Sequence, residues 1–241
     1  MTTKWPRGSE WRKWDLHLHA PDTKLNDQFK IADGSDVWDE YCRKLHKSDI
    51  HAFGITDYFS ADGYFSVLKK YRELYPNSTK IFFPNIELRT NDVVNIGGEE
   101  VNVHLLFNPF RSDHTEKIKS FLNTLKTNKT DTSDRSIKAS ELKNQSEYAE
   151  ATTTRIFIQE ALADTYGKDA DLLDYLLIIT VANNDGIRPE RGKQRKLLIT
   201  DELDKFSDAF FGSARNVDYF LKTNRSEDKE QFTKTKPVLS G

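Results

Sequence analysis

The sequence predicts an α/β protein and, within that class, a closed barrel of parallel strands. Seven short runs of β-branched, aliphatic and aromatic residues indicate strands. Segments with helical periodicity separate most of these runs, and that alternation is typical of α/β folds. The chain contains no G-x-G-x-x-G and no G-x-x-x-x-G-K motif, so nothing favours an open nucleotide-binding sheet over the barrel.

The elements can be placed along the chain from these patterns. Strands are predicted over residues 15–19, 52–58, 80–87, 101–107, 175–181, 208–212 and 237–239. Helices are predicted over residues 35–47, 62–74, 113–125, 154–166 and 216–221. Ser35 is the predicted N-cap of the first helix, Pro76 follows the end of the second, and Gly167 follows the end of the fourth.

The length of 241 residues allows one large domain or two small ones, and we expect a single domain over residues 1–241. The segment 127–153 is rich in Lys, Thr, Ser, Asp, Asn and Glu and holds few large apolar residues. We interpret it as an exposed insertion, part loop and part weak helix. A second solvated connection is expected over residues 226–236.

Composition excludes several classes of protein. The 36 basic and 38 acidic residues give a net charge of -2, so any affinity for nucleic acid must come from a local patch. The basic residues crowded into 188–196 are the best candidate, although such a run is more often an exposed basic loop. The chain has no apolar run long enough for a membrane span or a signal peptide, and its single cysteine is Cys42. We therefore expect a cytoplasmic protein with no internal disulfide and no membrane segment.

The most informative segment is the Trp-Asp-Leu-His-Leu-His of residues 14–19. Alternate residues of a strand point to the same side, so the His17 and His19 rings are expected side by side. An isolated His-x-His pair is more often two ordinary histidines. This pair, however, ends a first barrel strand, where the active sites of barrels are built, and that position favours metal binding.

Further candidate ligands lie in apolar runs at the ends of the next predicted strands: Asp57, Glu87 and His104. A buried ionisable group is costly unless it is paired or coordinated. Three histidines, an aspartate and a glutamate at one end of successive strands therefore predict a site for divalent cations, with Glu able to bridge two ions. The remaining histidines lack this context and are interpreted as structural or exposed: His46, His51 and His114.

These residues resemble the motifs of the PHP superfamily, named for polymerase and histidinol phosphatase. The likeness runs through residues 14–19, 55–57, 86–87 and 103–104. More narrowly, residues 13–21, 25–29, 56–64 and 183–186 resemble the PHP module at the N-terminus of large bacterial ATPases of the TrlF type. The resemblance implies a distorted (β/α)7 TIM-like barrel, up to three divalent ions and phosphoesterase chemistry.

By this resemblance, metal ligands are matched by five residues: His17, His19, Asp27, Glu87 and His104. Two positions depart from the family pattern. Tyr58 stands where many members have histidine, and residues 182–185 read Ala-Asn-Asn-Asp where another His or Cys is expected. A phenol with a pKa of about 10 is a poor ligand near neutral pH, so one or two ions fit better than three. The chain stops before the Ser-Asp-x-His segment of similar proteins, so we expect a fragment that lacks the last barrel elements and precedes an ATPase domain.

The function that follows is a metal-dependent phosphoesterase using Mn, Zn, Fe or Mg. The resemblance further implies a nuclease module of a DNA-handling or antiphage-defence ATPase, with ATP bound in the downstream domain alone. Asp57 is the candidate catalytic residue, as a ligand, a supporting residue or a general base. Candidate substrate-binding residues are Arg89, Asn184 and Arg188. Expected partners are nucleic acid or another phosphate ester, and no membrane.

Two alternatives stay open. The chain could be a barrel of the PHP type that has lost ligands and serves as a scaffold or homo-oligomerisation module beside its ATPase. Tyr58 and the missing terminal motif favour that reading, whereas the retained histidines and Glu87 favour the enzyme. An unrelated α/β hydrolase is disfavoured, because the sequence contains no G-x-S-x-G elbow.

Overall fold

Strands and helices alternate along most of the chain, as the sequence predicts. The structure is a computed structural model that describes residues 11–30, 34–93, 100–181, 198–223 and 234–239. The strands are β1 (Lys13–His19), β2 (Ile50–Tyr58), β3 (Ile81–Val93), β4 (Glu100–Phe107), β5 (Lys126–Thr130), β6 (Ser136–Lys138), β7 (Leu176–Val181), β8 (Ala209–Phe211) and β9 (Val238–Leu239). The α-helices are α1 (Val37–Lys47), α2 (Asp62–Leu74), α3 (His114–Thr124), α4 (Gln145–Glu150), α5 (Arg155–Tyr166), α6 (Leu198–Phe206) and α7 (Ala214–Phe220). Short 3-10 helices cover Ala139–Glu141 and Leu172–Asp174.

The seven predicted strands correspond to β1 to β4 and β7 to β9, and the five predicted helices to α1, α2, α3, α5 and α7. The N-cap of α1 is Asp36 and not Ser35, because the Asp36 carboxylate accepts a hydrogen bond from the Trp38 backbone N–H at 2.8 Å. Both residue types cap helices well, so the sequence does not decide between adjacent candidates.

One seven-stranded sheet holds the described strands in the order β1, β2, β3, β4, β7, β8, β9. Every adjacent pair is parallel except the two pairs that β4 makes with β3 and β7. The prediction of an all-parallel barrel is therefore wrong for β4. A parallel return needs a crossover of about a dozen residues or more, whereas residues 94–99 alone separate β3 from β4.

The sheet is curled, so that strands distant in the sheet approach each other across its concave face. Leu16 of β1 shares a cluster of buried side chains with Ala209 and Phe211 of β8, although four strands lie between β1 and β8. The His17 and Phe211 ring centroids are 5.6 Å apart. Within the described residues β1 and β9 are the sheet edges. The fold is thus a mixed α/β half-barrel, and closure into a full (β/α)7 barrel stays a prediction.

Strand β1 carries a bulge that shapes this concave face. Between Asp15 and Leu18, β1 holds one more residue than the segment of β2 paired with it. The bulged backbone lies against Gly54, where an added Cβ would be 2.1 Å from the Leu16 carbonyl oxygen. Any residue but glycine would clash there. Because of the extra residue, the adjacent Leu16 and His17 side chains both reach the region of β8.

The convex face of the sheet is covered by helices. Between the sheet and helices α3 and α5 lies the largest apolar cluster, which includes Ile86, Leu88, Val103, Leu105, Ile178, Ile118, Phe121, Ile158 and Leu162. A second cluster joins α1 and α2 to β2 and includes Phe53, Ile55, Cys42, Val67 and Tyr71. Alternate strand residues thus face the helices, which leaves the intervening residues of β3 and β4 for the concave face.

The segment 127–153 is less exposed than expected. It contains the hairpin of β5 and β6, the first 3-10 helix and α4. Ala139, Leu142, Tyr148 and Ala151 are buried and join the largest apolar cluster. A few apolar residues spaced along a polar segment are enough to attach it to the domain, and spacing of that kind gives no periodic signal in the sequence.

Some predictions fall outside the described residues. They include most of the 226–236 connection and all of the basic segment 188–196. In the part of the chain that is described, no helix is long and apolar enough to cross a membrane.

Replacing Gly54 with alanine should destabilise the protein strongly, because the new methyl group would meet backbone atoms of β1 that cannot rotate away. Overpacking of this kind costs about 1–3 kcal/mol or more, and urea unfolding would measure it. Gly63→Ala is the matched control, because its Cβ would meet the Ala20 Cβ at 3.4 Å and no backbone atom closer. Equal stability of Gly54→Ala and the parent protein would contradict the bulge described here.

Candidate metal centre

Three imidazole rings from two strands surround one carboxylate on the concave face. The Glu87 carboxylate of β3 lies between the His17 and His19 rings of β1 and the His104 ring of β4. His17 Nε2 and His19 Nε2 lie 3.6 and 3.7 Å from Glu87 Oε2, and His104 Nε2 lies 4.0 Å from Glu87 Oε1. The structure therefore brings together four of the five predicted ligands.

The antiparallel direction of β4 positions two of these groups. Glu87 and His104 are direct partners in the register of β3 and β4, so their side chains emerge on the same face. Both lie within their strands and not at the strand ends, which corrects the predicted placement of these ligands. The His104 side chain is fully buried and that of Glu87 is 4% exposed, whereas the His17 and His19 side chains are 28% and 29% exposed. The site thus opens to solvent on the β1 side.

Asn85 fixes the orientation of the His104 ring. Its Nδ2 group donates to the Leu16 carbonyl oxygen at 2.7 Å and to Thr56 Oγ1 at 3.0 Å. Its Oδ1 is therefore turned to His104 Nδ1, at 3.1 Å, and accepts the Nδ1 proton. That tautomer leaves His104 Nε2 as a bare lone pair directed at the site, as metal-ligating histidines require.

Thr23 and Asp57 fix the orientation of the His19 ring. The Thr23 hydroxyl donates to Asp57 Oδ1 at 2.9 Å and lies 3.3 Å from His19 Nδ1, so its oxygen can accept the Nδ1 proton. Asp57 Oδ1 also accepts from the backbone N–H groups of Lys24 and Tyr58, both at 2.9 Å. Asp57 thus acts on the site through Thr23 and holds the loop after β1.

The protonation states suit cation binding. Burial raises the pKa of the Glu87 carboxyl, but its hydrogen-bond contact with His17 and its interaction with the neighbouring histidines outweigh burial and hold that pKa below its usual value. Burial lowers the pKa of His104 to about 3, and it also lowers the pKa of His19. At neutral pH the centre therefore offers an ionised carboxylate beside neutral His104 and His19, the forms that bind metal.

Aromatic rings wall the centre. The Phe211 ring centroid lies 5.0 Å from that of His104 and 5.6 Å from that of His17. On the other side the Tyr58 ring stacks on His19, with centroids 5.3 Å apart. Burial, reinforced by the Glu87 charge, raises the pKa of Tyr58, so its phenol stays protonated. Tyr58 is thus placed to support a ligand and to donate a hydrogen bond.

The other predicted site residues lie elsewhere. Asp27 is exposed, and its carboxylate accepts from the backbone N–H groups of Asp22 and Phe29 at 3.2 and 3.1 Å. Arg89 packs over the Tyr58 ring, and its Nη2 donates to the carbonyl oxygens of Tyr148 and Ala149. Two predictions fall outside the described residues: Asn184 and Arg188.

The donor set fits a divalent cation. One ligand atom each from His17, Glu87 and His104 lie within 4.8 Å of one another, and the His19 ring borders the same carboxylate. Glu87 Oε2 and His104 Nε2 are buried and have no hydrogen-bond partner. Buried polar atoms without partners are rare and costly, and a cation would satisfy both. Imidazole nitrogen with carboxylate oxygen suits Zn, Mn or Fe.

Comparison with known proteins adds little. No family model matches the sequence, and no curated protein matches it. One similar solved structure is a protein from Bifidobacterium adolescentis described as a "putative metal-dependent phosphoesterase". It shares 13% identity at a TM-score of 0.33, over 83% of this chain and 77% of that chain. A TM-score this low supports no inference about this chain.

Asn85→Ala should weaken cation binding about 10–100-fold, because it frees the His104 ring to rotate and to change tautomer. Isothermal titration of the metal-free protein with Mn²⁺ or Zn²⁺ would measure the change. The matched control is Asn108→Ala, which removes an exposed amide bonded to the Asp174 carbonyl oxygen. Unchanged affinity in Asn85→Ala would show that this amide does not orient a ligand.

Cation binding should also stabilise the fold, because the ligands come from strands that separate on unfolding. At a free-ion concentration about 100-fold above Kd, the free energy of unfolding should rise by about 2.7 kcal/mol. Glu87→Gln keeps the shape of the side chain and removes its charge, so most of this increment should disappear. Denaturant unfolding with and without the ion measures both values, and an equal increment in the two proteins would contradict the assignment of Glu87.

Proposed function

We propose that this chain is a metal-dependent phosphoesterase. The observation that carries the proposal is that two buried ligand atoms, Glu87 Oε2 and His104 Nε2, have no hydrogen-bond partner. The partly exposed rings of His17 and His19 lie beside Glu87 Oε2 and complete the donor set. A purely structural cluster would satisfy these atoms internally, as most buried polar atoms in folded proteins are satisfied. The open β1 side gives a substrate access to the exposed rings.

Some residues would bind the cation, and others orient the rings of those ligands. His17, His19, Glu87 and His104 would hold one or two cations, and Asn85 and Thr23 set the tautomers of two of the rings. When bound, a divalent ion lowers the pKa of a coordinated water and neutralises charge on phosphoryl oxygens.

Other side chains contribute binding and exclusion of water. The Tyr58 hydroxyl has no hydrogen bond to a described residue and is protonated at neutral pH, so it can donate to a phosphoryl oxygen. Phe211 excludes water from the His104 side. Arg89 Nη2 donates to the carbonyl oxygens of Tyr148 and Ala149 in α4. Its role here is therefore to hold α4 against the centre.

We also propose the more specific features that the family resemblance implies. These are a barrel of the PHP type that cleaves nucleic acid and belongs to an ATPase involved in DNA handling or antiphage defence. The scaffold alternative has its own supporting observation, because Tyr58 stacks on His19 where a further ligand would otherwise stand. Metal content separates the two candidates, since a scaffold that has lost its ligands should be purified without bound ions.

Hydrolysis of bis(p-nitrophenyl) phosphate tests the proposal directly. Activity should disappear with a chelator and return with Mn²⁺ or Zn²⁺. Glu87→Gln should lower kcat/KM at least about 100-fold, because metal assistance contributes several kcal/mol and each 1.36 kcal/mol is about tenfold in rate.

The matched control for this assay is Glu160→Gln, which removes an exposed carboxylate paired with Lys126. It should leave kcat/KM unchanged. A chelator-insensitive activity, or a metal-free protein that cleaves no phosphate ester at any added metal concentration, would overturn the proposed function.

A further inference from the structure

A cavity lies between the 127–153 segment, helix α3, the start of α2 and the loop before α2. Its volume is about 370 Å³. Its polar and charged lining includes Lys24, Asp62, Lys119, Asn123, Ser140 and Lys143. Phe59 and Tyr148 form part of its apolar wall. It has no part in holding the cation.

The charge in this cavity is unbalanced. Asp62 is the one carboxylate in its lining, and it is paired with Lys24 at 2.7 Å. Lys119 and Lys143 have no ion-pair partner among the residues that the structure describes, and both are exposed. With three lysines against one aspartate, the lining carries a formal charge of about +2 in a chain whose net charge is -2. A local excess of this sign attracts anions although the whole chain does not.

The neutral polar groups of the lining add donors. The side chains of Asn123 and Ser140 are exposed and make no hydrogen bond to a described residue. The cavity lining therefore includes an amide NH₂, a hydroxyl and two ammonium groups that have no partner among the described residues. Phosphate oxygens accept from each of these groups, and lysine is a common phosphate-binding residue.

Hydrogen bonds connect residues of the cavity lining with residues of the metal centre. The Phe59 backbone N–H donates to the Glu87 carbonyl oxygen at 3.1 Å, and the Lys24 N–H donates to Asp57 Oδ1. Phe59 itself has a φ of 50°, a left-handed conformation that is strained for a bulky residue and occurs most often at functional sites. Arg89 Nη2 donates a hydrogen bond to the carbonyl oxygen of Tyr148 in the cavity wall. These bonds join residues of the cavity lining to Glu87, Asp57 and Arg89.

We propose that this cavity binds a second phosphate group of the substrate, so that the substrate is a chain of phosphates and not a simple monoester. The inference rests on the proposed function, because it places the reacting phosphate at the metal centre. The shared chemistry is that of a polyanion, either a single strand of nucleic acid or a short polyphosphate.

Binding, measured without metal, tests the proposal independently of catalysis. The probes are a fluorescein-labelled single-stranded oligonucleotide of about 12 nucleotides and inorganic tripolyphosphate as a competitor, both in the presence of a chelator. The test variant is Lys119→Ala/Lys143→Ala in the full chain. The matched control is Lys47→Ala/Lys69→Ala, which removes the same charge from exposed positions on α1 and α2 that do not line the cavity.

Loss of the contact with this one phosphate should lower the slope of log affinity against log salt by about 0.7 for a single strand. Between about 50 and 200 mM salt, the parent protein should therefore lose about 2.6-fold more affinity than the test variant. The control should follow the parent. Loss of oligonucleotide binding identifies a nucleic-acid strand, and loss of tripolyphosphate binding alone identifies a short polyphosphate.

Unchanged binding of both probes in the test variant, or an equal loss in the control, would overturn the proposal. Failure of the proposed function gives a different pattern. If the protein holds no cation and cleaves nothing, but the test variant still loses binding and the control does not, then the cavity binds polyanions without a hydrolytic centre beside it. Circular dichroism of both variants checks that they are folded.

Discussion

The burial of the Glu87 carboxylate among three imidazoles is the constraint on which the rest of the site depends. An ionised group at 4% exposure is costly unless charges or a cation compensate it. His104, itself fully buried, cannot supply a full positive charge, because burial holds its pKa at about 3. The compensation is therefore incomplete, and it leaves Glu87 Oε2 and His104 Nε2 without partners. Both atoms are therefore free to bind a cation.

The same constraint links the fold to the site. The bulge of β1 exposes the Leu16 carbonyl oxygen to the concave face, and Asn85 Nδ2 satisfies it while Oδ1 sets the His104 tautomer. Gly54 makes room for the bulge. A change in any of these groups therefore acts on both stability and ligand geometry. The network also explains why a buried asparagine stands two residues before Glu87, on the same side of β3.

Much of the fold could be predicted from local signals. Short apolar runs located the strands of the sheet, and alternation within β1 placed His17 and His19 on one side. The direction of β4 was missed because the third strand was predicted to end at residue 87, whereas β3 continues to Val93. The predicted link of residues 88–100 was long enough for a parallel crossover, and the link of residues 94–99 is not. The supporting residues Thr23 and Phe211 were missed for a different reason. A threonine in a polar loop and a phenylalanine in a short strand carry no sequence signal of a neighbouring histidine.

By itself the sequence determined which residue types are available and, outside the bulge of β1, which face of each strand they occupy, because side-chain alternation is a local property of the backbone. Only the tertiary structure decided which of them meet. The register of β3 against β4 sets Glu87 opposite His104, and the curl of the sheet brings Phe211 of β8 against His17 of β1. Such contacts depend on packing between segments far apart in the chain. A local sequence pattern contains no information about the energy of that packing.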